Sequence, residues 1–258
     1  MESLKTMRRS LKNKVAWITG AGSGIGQNAA VKLSELGMKI ILSGRNIKNL
    51  QKTALKCGKK CLIKSLDISN KESVKKITNE IKKEFKHIDV LVNCAGINIE
   101  NRDWDNIDEN DWDKVIQTNI SGLFYCCKSV IPLMKKKMDG LIINVSSWSG
   151  NHVSLLSGVS YTSSKHALNA MTETINMKYC NLGIRACSLC PGEVATPILD
   201  KRPKKLTPEQ KNKMLKPEDL GETIAFLCQM PKHVCINQLT ISPTWHRRYI
   251  AGLGLEKL

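Results

Sequence analysis

Tyr161 and Lys165 stand four residues apart in Ser160-Tyr161-Thr162-Ser163-Ser164-Lys165, a spacing that puts both side chains on one face of a helix. A phenol has an ordinary pKa near 10 and is a poor acid–base group at neutral pH. An ammonium beside it favours the phenolate. Bringing that pKa toward 7 takes ~4 kcal/mol, at about 1.36 kcal/mol per unit. The two residues are a candidate proton-handling couple. Tyr-x-x-x-Lys also occurs on many surface helices, so the segments that precede it carry its weight.

Upstream, Thr19-Gly20-Ala21-Gly22-Ser23-Gly24-Ile25-Gly26 follows an apolar run and leads into a helical stretch. Glycines at such a junction permit a tight turn, close approach of backbone to a pyrophosphate, and tight helix–strand packing. The G-x-G-x-x-G register fails because position 25 is isoleucine, while the wider Gly20-x-x-x-Gly24-x-Gly26 register holds. No Gly-Lys-Ser/Thr follows, which excludes a Walker A loop. Dinucleotide binding is the expectation. No metal site is expected. Cys187-x-x-Cys190 falls in a strand-like run, where residues three apart point to opposite faces, and neither His152 nor His166 has a partner at ligand spacing.

The elements that must position these residues alternate along the chain. Val15–Thr19, Lys39–Ser43, Cys61–Leu66, Asp89–Asn93, Gly140–Val145, Arg185–Cys190 and Gln238–Ile241 read as strands. The first six have the continuous apolar character of strands buried on both faces. Helical periodicity covers Gln27–Leu36, Ser73–Phe85, Trp112–Met134, Ser163–Asn181 and Pro217–Gln229. The alternation predicts an α/β fold, a doubly wound, mostly parallel seven-stranded sheet with helices on both faces. No repeat or linker divides the chain, so residues 1–258 are expected to form a single dinucleotide-binding and catalytic domain. The longest irregular stretch runs from Pro191 to about Leu215 and carries the basic cluster Lys201-Arg202-Pro203-Lys204-Lys205. Residues 192–215 are expected to be a substrate-loop lid.

Composition sets bounds. With 41% hydrophobic and 24% charged residues the chain is ordinary for a globular protein. It has no run of 18 apolar residues of the kind that spans a bilayer, and its basic N-terminus lacks the apolar core of a secretory signal. Most of the ten cysteines lie in apolar runs, where the free thiol acts as a small hydrophobe; a reducing cytoplasm is the expected compartment. The net charge of +17 is mostly lysine, with eight arginines among forty basic residues. Spread along the chain, it reads as solvated surface rather than a nucleic-acid footprint, which leans on arginine forks. No nucleic-acid or membrane partner is expected.

Further motifs follow in order: Leu66-Asp67-Ile68, Asn93-Cys94-Ala95-Gly96, Asn119-Ile120-Ser121-Gly122, Ile143-Asn144-Val145-Ser146-Ser147, and, after the Tyr–Lys pair, Pro191-Gly192-x-Val194-x-Thr196. With the glycine loop, these resemble the short-chain dehydrogenase/reductase family, in its compact single-domain branch, from about Lys14 to Pro243. The resemblance implies roles. Tyr161 would be the general acid or base. Lys165 would lower its pKa and hold the nicotinamide ribose. Ser147 would hydrogen-bond the substrate oxygen, and Asn119 would position a water linking Lys165 to solvent. Gly20, Ser23, Gly24, Ile25 and Gly26 would cradle the cofactor phosphates. Asp67 and Ile68 would meet the adenine, and Asn93, Ala95 and Gly96 the adenosine side. Pro191, Gly192, Val194 and Thr196 would line the nicotinamide end.

The chain departs from the family pattern in two places. Ser147 precedes Tyr161 by fourteen residues where the family usually has thirteen, leaving Ser146 and Ser149 as alternatives. Asn93-Cys94 replaces the commoner Asn-Asn. At the end of the second strand, Leu42-Ser43-Gly44-Arg45-Asn46 has no acid to bind a ribose 2′-hydroxyl, and Arg45 suits a 2′-phosphate. The expected cofactor is therefore NADP rather than NAD. The C-terminal stretch His233–Leu239 with Ser242-Pro243 is similar to NADP-dependent 3-hydroxy acid and serine dehydrogenases, which implies a small hydroxy acid substrate and a homotetramer or dimer. Alternatives left open are an NAD-preferring sterol or sugar dehydrogenase, and a non-catalytic dinucleotide sensor or basic scaffold. Trp148, beside Ser147, is a candidate pocket wall.

Overall fold

The apolar run Val15-Ala16-Trp17-Ile18 ends on Thr19, and all five side chains are buried in strand β1. Their alternation assigns the two faces of the sheet. Ala16 and Ile18 pack with Leu33, Leu42, Val92, Ile143 and Leu220 on one side. Val15 and Trp17 pack with Ile41, Leu91, Leu123, Ile142 and Leu168 on the other. A sheet buried on both faces needs helices on both, and the computed structural model, which describes residues 8–58, 61–202 and 205–254, has them.

Strands β1, β2 (Lys39–Gly44), β3 (Leu62–Ser65), β4 (Val90–Asn93), β5 (Gly140–Val145), β6 (Ile184–Pro191) and β7 (Gln238–Ile241) form one sheet in the order β3-β2-β1-β4-β5-β6-β7. Every pairing is parallel. All seven expected strands are present, displaced by a residue or so at some ends. Helices α1 (Gly24–Glu35) and α8 (Pro217–Gln229) cover one face. Helices α3 (Lys71–Phe85), α5 (Leu123–Lys137) and α6 (Val159–Tyr179) cover the other.

Three local features differ from the sequence reading. Helix α2 (Ile47–Lys56) occupies a stretch to which no element was assigned, with Ile47, Leu50 and Ala54 on one face and Leu50 and Thr53 buried. The stretch Trp112–Met134, expected as one helix, is α4 (Glu109–Ile116), a π-helical turn over Gln117–Gly122, and α5. Gly122 abuts Ile68, where a Cβ would stand 2.8 Å from Ile68 Cγ1. The expected irregular stretch contains a 3-10 turn, Pro197–Lys201, and the short helix α7 (Pro208–Asn212); Pro203 and Lys204 of its basic cluster lie outside the described residues. A last short helix, α9 (Arg247–Gly252), follows β7.

Between β4, β5 and α6 runs a buried polar chain. Asn93 Nδ2 donates to Asn144 Oδ1 at 2.9 Å, and Asn144 Nδ2 to Thr172 Oγ1 at 2.9 Å.

Candidate active site

Thr19 at the end of β1 lies beside Asn93 at the end of β4, and from there the strand order runs outward in opposite directions. A crevice opens where an α/β sheet reverses in this way. Here it is a cleft of about 1070 Å³.

The glycine loop lines its cofactor half. Gly20 and Gly24 have φ of +65° and +52°, a region that favours glycine. A Cβ on Gly20 would stand 2.7 Å from the Ala95 nitrogen, and one on Gly26 2.5 Å from the Gly20 carbonyl oxygen. Ser23 precedes α1 without capping it through its side chain. The first-turn N–H groups of α1, on the cleft-lining Gly24, Ile25 and Gly26, are thus left for an anion. This cradle fits a dinucleotide pyrophosphate. Arg45 lies exposed at the end of β2 and lines the cleft with Asn46 and Asn49.

Most other expected cofactor residues also border this space: Asp67 and Ile68, Ala95 and Gly96, and the run Pro191, Gly192, Val194 and Thr196. The Asp67 carboxylate is held by its own turn, accepting from Ser69 N at 3.0 Å and Ser69 Oγ at 2.7 Å. Asn93 is fully buried and outside the cleft wall, its amide bonded to Asn144 and Cys127.

Tyr161 sits in the first turn of α6, since that helix begins at Val159, four residues earlier than expected. Ser147 follows β5, and its hydroxyl acts on the Tyr161 phenol, lowering its pKa. Ser149, by contrast, pairs with Ser157 at 2.7 Å, and Ser146 Oγ donates to the Lys165 carbonyl at 3.3 Å. The geometry singles out Ser147, and the extra residue is absorbed in the loop before α6.

Lys165 lies one turn further along α6. Its ammonium donates to the Val145 carbonyl at 2.8 Å and lies 5.4 Å from the Tyr161 ring centre. Burial pushes the Tyr161 phenol up from its ordinary value, and the groups that pull it back are the Ser147 hydrogen bond and the charges of Arg102 and Arg202. Lys165 is itself driven down to about 8 by burial, against the opposing influence of Cys190 and Cys94. Asn119, in the π turn, accepts from Ile97 N at 2.8 Å and donates to Ile97 O at 2.9 Å. Its side chain holds the loop after β4 beside Lys165.

The sequence reading gave no role beside the Tyr161 phenol to Arg102 and Arg202, nor any role to Glu193 and His246. Arg102 donates to the Glu100 and Leu156 carbonyls, both at 3.4 Å, and to the Lys201 carbonyl. These bonds join the loop after β4, the loop before α6 and the 3-10 turn. Trp148 does line the cleft, stacked between His152 and His246 at centroid distances of 4.6 and 4.3 Å. Cys187 packs in the core face that holds Ile18, while Cys190 turns toward Asn169 on the opposite face. Among the described residues no group of three or more His, Cys, Asp and Glu side chains is placed to hold a metal.

The family model for short chain dehydrogenases matches residues 14–207. The chain belongs to this family. As a short-chain dehydrogenase/reductase it is an NAD(P)-dependent oxidoreductase, and its cleft is the family's dinucleotide site. An uncharacterized oxidoreductase of Staphylococcus saprophyticus is 33% identical over 237 residues, covering 90% of this chain and 98% of that protein. Among solved structures, an alcohol dehydrogenase from the archaeon Thermococcus sibiricus complexed with 5-hydroxy-NADP superposes with a TM-score of 0.81 at 28% identity, covering 92% of this chain and 99% of that one. The closed form of a serine dehydrogenase complexed with NADP+ gives the same TM-score and identity, covering 89% of this chain and 94% of that chain. No described helix is long and apolar enough to cross a membrane.

Proposed function

We propose that this short-chain dehydrogenase/reductase interconverts an alcohol and a carbonyl with NADP as the preferred hydride carrier, on a small hydroxy acid. One observation carries the reading: Ser147, Tyr161 and Lys165 gather at the end of β5 on the wall of the cleft that the glycine loop borders. When bound, the nicotinamide supplies or accepts the hydride. The chain's own residues handle the proton. In reduction, Tyr161 gives its hydroxyl proton to the nascent alkoxide, while Ser147 donates a hydrogen bond to the same oxygen as charge develops there. Lys165 supplies positive charge beneath the phenol. Because the Asn119 side chain is spent on Ile97, any water relay from Lys165 runs past its main chain in the π turn.

Arg45 supports NADP, since a guanidinium at the end of β2 suits a 2′-phosphate and no acid stands in that turn. The serine dehydrogenase likeness supports a hydroxy acid. Residues 192–215 act as the lid, and the enzyme works as a homotetramer or dimer, with Phe124 on α5 and Met177 on α6, 43% and 76% exposed, among the apolar surface a second copy would cover.

Consumption of NADPH and NADH against a panel of 2-oxo and 3-oxo acids, ketones and sugars tests the reading. Tyr161→Phe is expected to lower turnover by ~100-fold or more while cofactor binding persists. Arg45→Ala is expected to weaken NADP by about 1.5–3 kcal/mol and NAD little. Unchanged turnover in the first variant, or equal losses of both cofactors in the second, overturns the corresponding part.

A further inference from the structure

Seven buried side-chain polar atoms among the described residues have no hydrogen-bond partner. Three of them, Trp148 Nε1, Arg202 Nη1 and His246 Nδ1, belong to residues that line the cleft. A buried donor left unpaired is costly, and native proteins seldom keep one without a use. The indole and guanidinium N–H groups are donors whatever their surroundings, and with the imidazole nitrogen, whose role follows its tautomer, they mark the place where a ligand's acceptors belong.

The surroundings say which acceptors. Arg202 is 12% exposed, and its Nη2 donates to Glu193 Oε1 at 2.7 Å. The other oxygen of Glu193 takes Arg247 Nε at 3.2 Å. Both oxygens of that carboxylate are thereby engaged by cations, which fixes the Arg202 guanidinium and leaves its second prong unpaired. Arg102 adds a further positive charge whose hydrogen bonds go to carbonyls. Two arginines therefore hold one glutamate, and the charge of a third, Arg102, acts on Arg202. His246, only 3% exposed, stacks on Trp148, whose indole N–H is solely a donor. A carboxylate, which has only acceptors, answers both the geometry and the charge, and its plane matches the guanidinium fork. A neutral amide or ester would leave the excess charge unmet.

We propose that Arg202 is a specificity-determining residue, selecting carbonyl substrates that carry a carboxylate, with Glu193 as its positioning residue. The proposal rests on the carbonyl–alcohol reading above and assigns the substrate's acid group to a side chain of this chain.

The test compares short 2-oxo and 3-oxo acids with their methyl esters and with phosphonate analogues, using the full-length enzyme and NADPH. Wild type is expected to prefer acid over ester by roughly 10- to 100-fold in kcat/KM, the range for a hydrogen bond to a charged group. Arg202→Met should bring that ratio close to one, and Arg202→Lys should restore part of it. Glu193→Gln should raise KM for the acids more than it lowers kcat, with Glu193→Asp recovering some of the loss. A second arm needs no turnover. Butyrate, but not butyramide, should perturb the fluorescence of enzyme-bound NADPH, and Arg202→Met should abolish the difference while still binding NADPH. An acid-to-ester ratio unchanged in Arg202→Met, or a phosphonate preferred over the carboxylate, overturns the assignment to Arg202. Failure to turn over any carbonyl while butyrate still binds through Arg202 overturns the enzymatic reading instead.

Discussion

Ser147 and Ser149 stand two residues apart and meet different partners, one the Tyr161 phenol and the other Ser157. Ser147→Ala is therefore expected to lower kcat by ~100-fold or more, the scale for a lost donor to developing charge, with cofactor affinity kept. Ser149→Ala should change kcat only a few-fold; the reverse ranking in steady-state kinetics would move the catalytic position. Lys165 sets the pH dependence. Burial lowers its pKa to about 8, so the ammonium is present below that pH and lost as pH rises through it. The phenol, pushed up by burial, still holds its proton there. Carbonyl reduction should thus show a kcat/KM that declines through about pH 8, and Lys165→Arg should carry that limb to more alkaline pH. A profile flat from pH 7 to 9 would contradict this. At this scale, motif order announced Ser147, Tyr161 and Lys165. It did not announce Arg102 or His246, and Arg202 showed only as a member of the basic cluster Lys201–Lys205; the three arrive from separate loops and terminal segments, and only the fold brings them to one wall. Four-residue spacing fixes the helix face that Tyr161 and Lys165 share but not the acceptor, the Val145 carbonyl, that the ammonium reaches.

Among elements, the glycine loop has the least tolerance. A Cβ at Gly26 would collide with the Gly20 carbonyl, whereas one at Gly252 in α9 meets nothing within 4 Å. Gly26→Ala is expected to cost about 1–3 kcal/mol of stability through overpacking and to weaken dinucleotide binding, while Gly252→Ala does neither. Thermal melts and cofactor titrations of the two variants check this. The strands were readable because aliphatic runs buried on both faces resemble little else. Helix α2 was harder to read because its stripe, Ile47, Leu50 and Ala54, is confined to ten residues. The π turn was hidden for a different reason: one extra residue in a turn barely disturbs the apolar rhythm on either side, though it is what brings Asn119 to Ile97.

Taken as a whole, the molecule joins a rigid sheet to loops held mainly by side-chain-to-carbonyl bonds. The seven-stranded topology followed from strand–helix alternation, whereas the placement of α9 beside the cleft had no local signature, being fixed by Glu193 and the Trp148 stack. The buried Asn93–Asn144–Thr172 chain has a consequence for motion. Its three members are at most 1% exposed and tie two central strands to α6 through directional bonds. Such a centre opens only with the whole fold, while the segments latched by Arg102 open locally at far lower free energy. Amide hydrogen exchange should therefore divide the cleft in two: protons on β4 and β5 outlasting those of residues 97–108 and 197–202 by orders of magnitude, and cofactor binding slowing the second group alone. One wall of the cleft is then a fixed template and the other an adjustable clasp, so the enzyme can remodel how it grips a substrate without disturbing where the hydride is delivered.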